Sequence, residues 1–96
     1  MAMSENDGSA DKDAIVVGLM ALCWILEDQR RADRLMALTG LIPSELRALA
    51  EDAGVLAAVL RFLEGHEPDL VACAAALEID PQALVQARGL LEGTVR

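Results

Sequence analysis

From Ala14 to Leu26 the chain reads AIVVGLMALCWIL, a stretch without a charge. Within it Ile15, Leu19, Leu22 and Leu26 recur at the spacing of one helical face. Val16, Met20 and Trp24 form a second stripe roughly a third of a turn away. Ala14, Gly18, Ala21 and Ile25 make up the remaining side. A helix apolar nearly all round is predicted, either central in its domain or keeping one face for a partner. Ser9 is a plausible cap for it, with Asp11 and Asp13 well placed against the positive end of the helix dipole. A membrane span needs about 20 apolar residues, so this shorter stretch reads as a buried helix, and no membrane is expected as a partner. Residues 1–10 carry no apolar period and read as a disordered, acidic tail.

The pattern then breaks and resumes five times. Asp28 caps a second helix over Gln29 to Thr39, with Leu35, Met36 and Leu38 inward and Gly40 as the left-handed stop. Pro43 opens a third helix to about Glu51, using Leu46, Leu49 and Ala50. Asp52 caps a fourth, with Val55, Leu56, Val59, Leu60, Phe62 and Leu63 inward until Gly65. Pro68 opens a fifth, with Leu70, Val71, Ala74 and Leu77 inward. Asp80-Pro81 starts a sixth that runs to about Glu92 through Leu84, Ala87 and Leu91. The expected fold is all-α, a compact bundle of about six short helices with short turns over residues 11–96. A weak internal echo links Leu41-Ile42-Pro43-Ser44-Glu45-Leu46 to Ile79-Asp80-Pro81-Gln82-Ala83-Leu84.

Composition agrees with this pattern and narrows the chemistry. The 96 residues include 17 alanines and 16 leucines, whereas Trp24 and Phe62 are the only aromatics. Strong helix formers dominate and strand formers are scarce, which excludes a sheet-rich fold. A net charge of −8 argues against nucleic acid as a general partner. Cys23 and Cys73 stand apart, outside any Cys-x-x-Cys or Cys/His cluster. Both read as buried hydrophobes in a reducing compartment, and the polar start lacks a secretory pattern, so a cytoplasmic location is expected.

From about residue 14 to the end, the order Ala37-Leu38-Thr39-Gly40, Pro43, Leu46-Arg47, Ala58-Val59-Leu60, Phe62-Leu63, Glu67 and Asp80-Pro81 resembles a small bacterial family, mainly alphaproteobacterial, known as domain of unknown function 3572. The resemblance implies a small helical domain in a bacterial signalling context, and it carries no catalytic residue, cofactor or substrate. This chain departs from the family pattern at three positions. Ile42 stands where an Asp cap usually precedes the proline, Glu78 where a Gly is expected, and Cys73 where a Phe is expected.

Residues able to do chemistry are few. His66, the lone histidine, sits in the polar connector Glu64-Gly65-His66-Glu67-Pro68-Asp69, where no second nitrogen or sulfur ligand is near. A metal or acid–base site there is the weakest reading. The glycines are scattered singly, so no phosphate loop is present. No catalytic, cofactor-binding or metal site is therefore expected. Residues 70–92 have helix–turn–helix spacing through Ala74, Ile79, Leu84 and Ala87, offering Gln82 and Gln86 to bases. Arg88 alone is basic there, however, and phosphate neutralisation supplies most DNA affinity. The preferred reading is a non-catalytic protein–protein interaction or adaptor module. It would bury Val16, Met20 and Trp24 against an unknown protein partner or a second copy, with Arg30, Arg31 and Arg34 steering an acidic partner. The sequence leaves open whether Trp24 belongs to the core or to such an interface.

Overall fold

A computed structural model of the chain describes the backbone of residues 2–95 and the side chains of residues 13–93. Six helices follow one another: α1 (Ala2–Leu26), α2 (Gln29–Thr39), α3 (Pro43–Ala48), α4 (Ala53–Glu64), α5 (Glu67–Leu77) and α6 (Pro81–Val95). The described residues contain no strand, and the all-α expectation holds. The expectation of a disordered start over residues 1–10 falls outside the residues whose side chains are described. α3 stops at Ala48, short of the expected Glu51. α5 begins one residue early, with His66 rather than Glu67 at its N-cap.

Local chemistry sets most of these ends. Asp28 caps α2, its Oδ1 accepting from the backbone N–H of Arg30 (2.9 Å) and of Arg31 (3.1 Å). Asp52 caps α4 by accepting from Val55 N–H at 3.1 Å, and Asp80 accepts from Gln82 N–H at 2.9 Å. Each such cap contributes about 1 kcal/mol by satisfying a donor the helix leaves free.

The internal echo corresponds to a shared corner. Both corners begin with a left-handed residue, Gly40 (φ 76°) or Glu78 (φ 60°). A half-buried apolar residue follows, Leu41 or Ile79, and then a cap position and a proline. Leu46 and Leu84, fully buried, occupy the position where a hydrophobic staple pairs with the residue before the cap. Each corner lacks one ideal residue. Ile42 has no side chain able to cap α3, although Glu45 Oε1 accepts from Ile42 N–H at 3.0 Å. Glu78 must adopt a conformation that costs a non-glycine residue roughly 1–2 kcal/mol.

α1, α4 and α6 pack on one another most extensively, with α2 and α5 laid against them. Leu56, Val59, Leu60 and Leu63 of α4 meet Leu84, Ala87 and Leu91 of α6, while Leu35, Leu46 and Cys73 close the core from α2, α3 and α5. Each fully buried leucine contributes roughly 1.5–3 kcal/mol. The face of α1 that enters this core is Ala14, Gly18, Ala21, Leu22 and Ile25. Of the expected stripe, only Leu22 is fully buried; Ile15 and Leu19 are half-buried and Leu26 is exposed. The reason is proximity: a Cβ added at Gly18 would lie 3.0 Å from Leu56 Cβ, so a small residue is needed where α1 meets α4. Outside the core, Arg61 and Arg88 both pair with Glu92, and Arg88 also with Glu64, joining α4 to α6. Burial alone would raise the Glu92 carboxyl, but the two arginines together hold it below its ordinary value.

Candidate interaction surface

With its inner face committed, α1 presents the opposite side outward. Asp13, Val16, Met20, Cys23 and Glu27 follow one another at steps of three and four, the spacing of a helix-pairing seam. Val16 is 51% exposed and Met20 40% exposed, and Cys23 is exposed as well. An apolar row three side chains long, bounded by a carboxylate at each end, thus lies on the surface.

Trp24 occupies the flank between the two faces, half-buried and packed against the core. The Arg31 guanidinium stacks on its ring, 3.6 Å from the centroid, and donates a hydrogen bond to the Trp24 carbonyl oxygen. Arg31 also lies 3.6 Å from the Asp28 carboxylate. Such a cation–ring contact contributes about 0.5–2 kcal/mol and clamps the start of α2 onto the end of α1. Arg31 Nε, buried beside this stack, has no hydrogen-bond partner among the described residues. The indole is therefore neither wholly core nor free. It forms one wall of a groove of about 340 Å³ between α1 and α5, completed by Leu19, Met20, Cys23, Glu27, Ala76 and Leu77.

The three arginines expected as one patch are divided. Arg31 folds onto Trp24. Arg34 reaches across to Asp69 of α5 at 2.7 Å, with its guanidinium 5.7 Å from the Phe62 ring. Arg30 is exposed on the first turn of α2. The separation follows from the helix: Arg30 and Arg34 are four residues apart on one side, whereas Arg31 is turned about 100° from Arg30.

A second apolar hollow was not foreseen. Leu38, Leu41, Leu49, Val55 and Ala58 line a groove of about 570 Å³ where α2, α3 and α4 meet, with Asp52 and Arg61 at its edge. Leu38 and Leu49, expected inward, are 66% and 38% exposed. Val71, also expected inward, is exposed, and Cys73 takes the buried position on α5. The angular offset of Leu38 from Ala32 and Leu35 on α2 was the available signal.

The cysteines differ in the same way. Cys73 is fully buried as expected, and burial pushes its thiol up to about 11. Cys23 is on the surface, which corrects the expectation of a second buried thiol. His66, half-exposed at the N-cap of α5, has Nε2 4.0 Å from Asp69 Oδ2, a carboxylate already engaged by Arg34. Among the described residues, no three His, Cys, Asp or Glu side chains gather in a metal-binding group.

α5 and α6 meet at 100° across a three-residue turn, within the range of helix–turn–helix corners. Ala74, Leu84 and Ala87 are inward, and Gln82 and Gln86 are exposed. Arg88, the one basic side chain on α6 among the described residues, is held by Glu64 and Glu92. The corner has the spacing without the positive charge that phosphate contact requires. No single helix among the described residues is long and apolar enough to cross a membrane.

The family described as Protein of unknown function (DUF3572) matches the chain over residues 11–94, nearly the whole of it, and the chain belongs to that family. No curated protein and no solved structure matches.

Proposed function

We propose that this DUF3572 protein is a non-catalytic helical module that works by protein contact through the outer face of α1. One observation carries the reading: Val16, Met20 and Cys23 form an exposed apolar row opposite the core face, beside a groove walled by Trp24 and Leu77. Exposed Met and half-buried Trp side chains are suited to an interface, since the indole offers a large rigid area and the flexible thioether adapts to a partner's shape. The polar side chains of the α1–α2 corner serve structurally, as caps and ion pairs, and none among the described residues converges on a cleft with a reactive group. The reading places the module in a reducing, cytoplasmic setting, which an exposed free thiol at Cys23 favours.

A photo-crosslinking amino acid placed at Met20 in the native host tests this directly. A discrete adduct is expected at position 20, lost when Val16→Glu is added, and absent when the probe is placed at the exposed Ser44 of α3. Adducts no more specific at position 20 than at 44 would overturn the assignment.

A further inference from the structure

We propose that the α1 outer face receives an amphipathic helix with basic flanks, and not a second copy of this chain. This rests on the preceding reading that the face is an interface. Asp13 and Glu27 occupy the seam positions at either end of the Val16, Met20 and Cys23 row, about 21 Å apart along the helix. Neither carboxylate has an ion-pair partner among the described residues, whereas Asp28, Arg31, Asp33 and Arg34 are engaged. Asp28 caps α2 and pairs with Arg31, and Gln29 donates to Asp33. Arg31 is held on Trp24, which leaves Arg30, on the adjoining turn of α2, as the exposed basic side chain at that end.

A dimer of identical chains uses the same patch twice about a two-fold axis. If the two copies of α1 cross antiparallel at Met20, Asp13 of one chain faces Glu27 of the other. If they run parallel, Asp13 faces Asp13 and Glu27 faces Glu27. Either register sets carboxylate against carboxylate at both ends of a short apolar row, in a chain already carrying a net charge of −8. A helix with an apolar row at the same three–four spacing and Lys or Arg about fourteen residues apart satisfies both ends instead.

Two synthetic helical peptides test the assignment. They share one leucine–alanine seam and carry either Lys or Glu at the flanking seam positions, and each is titrated by fluorescence anisotropy at low salt. The Lys-flanked peptide is expected to bind about tenfold more tightly, as a few exposed charge pairs would produce. That preference shrinks towards parity in 1 M salt. The double variant Asp13→Lys with Glu27→Lys reverses it, and Met20→Glu, a surface change that leaves folding intact, removes binding of both peptides. Equal affinity, or preference for the Glu-flanked peptide, overturns the basic partner while leaving the interface standing. A wild-type dimer by light scattering that Met20→Glu dissolves does the same. Failure of both peptides to bind a monomeric wild type overturns the interface as well.

Discussion

One helix, α1, carries two apolar faces with opposite fates. Ala14, Gly18, Ala21, Leu22 and Ile25 are inside, packed where α4 and α6 converge, while Val16 and Met20 are outside. Hydrophobicity alone does not explain why Ala14, Gly18 and Ala21 are inside while Val16 and Met20 stay outside. The difference lies in how closely neighbouring helices must approach. α1 touches both α4 and α6, and at Gly18 the approach leaves 3.0 Å between a notional Cβ and Leu56 Cβ. Small side chains are selected there because interiors are close-packed and larger ones would hold the helices apart. Val16 and Met20, on the opposite side of the helix, are left for the surface, where they offer contact area.

The sharpest probe of this contrast uses the two thiols, one on each kind of surface. At pH 8 a thiol reagent should modify Cys23 within minutes and Cys73 at least a hundredfold more slowly, as followed by mass spectrometry. Comparable rates would mean that α5 is not seated as described. The raised ionisation of Cys73 also fixes a direction in pH. The unfolded thiol ionises before the folded one, so the contribution of Cys73 to stability is intact below about 9. It falls as pH rises towards about 11. Urea denaturation of wild type and Cys73→Ala at several pH values reads that slope as a difference.

Packing comes next in size. Ile25→Ala should cost about 3 kcal/mol by urea denaturation, and Gly18→Leu at least as much, because Leu56 has nowhere to retreat. A Gly18→Leu protein of wild-type stability would refute the close approach of α1 to α4. At the boundary between the faces, Arg31→Ala should cost about 1–2 kcal/mol and shift Trp24 emission to the red, since the ring loses its cover.

Two changes should stabilise the fold without touching either face of α1. Glu78→Gly relieves the left-handed residue, and Ile42→Asp supplies the missing cap; each should gain about 1 kcal/mol in the same assay. They separate backbone effects from burial. The smallest effect is expected on the outer face: Val16→Gln and Met20→Gln should each alter stability by no more than about 0.5 kcal/mol. A cost above about 2 kcal/mol would make that face core.

What was legible from residues alone was local. Gly40, Pro43, Asp52 and Asp80-Pro81 announced helix ends through dihedral preference and side-chain capping, which need no distant partner. The surplus stripe Val16 and Met20 was also visible, because its excess is counted within one helix. Other features were not. Trp24 was placed beyond local reading by Arg31, seven residues away on another helix. Leu38 and Leu49 were read as inward because they are leucines, but α2 and α3 turn them towards a groove that exists only once α4 lies beside them. The arginine cluster dispersed because Arg34 has its partner, Asp69, thirty-five positions away.

By itself, then, the sequence determined that this chain is a small all-α bundle, where the capped and proline-marked helix ends fall, and that α1 has more apolar surface than one core face requires. Those properties follow from backbone preferences, caps and periodicity, which act over a few residues. Only the tertiary structure decided which face of α1 is buried, that Trp24 is covered by Arg31, and that Asp13 and Glu27 have no ion-pair partner among the described residues at the ends of the exposed row. Such outcomes depend on the distance between helices remote in the chain, a quantity set by side-chain size at their crossings and by no local pattern.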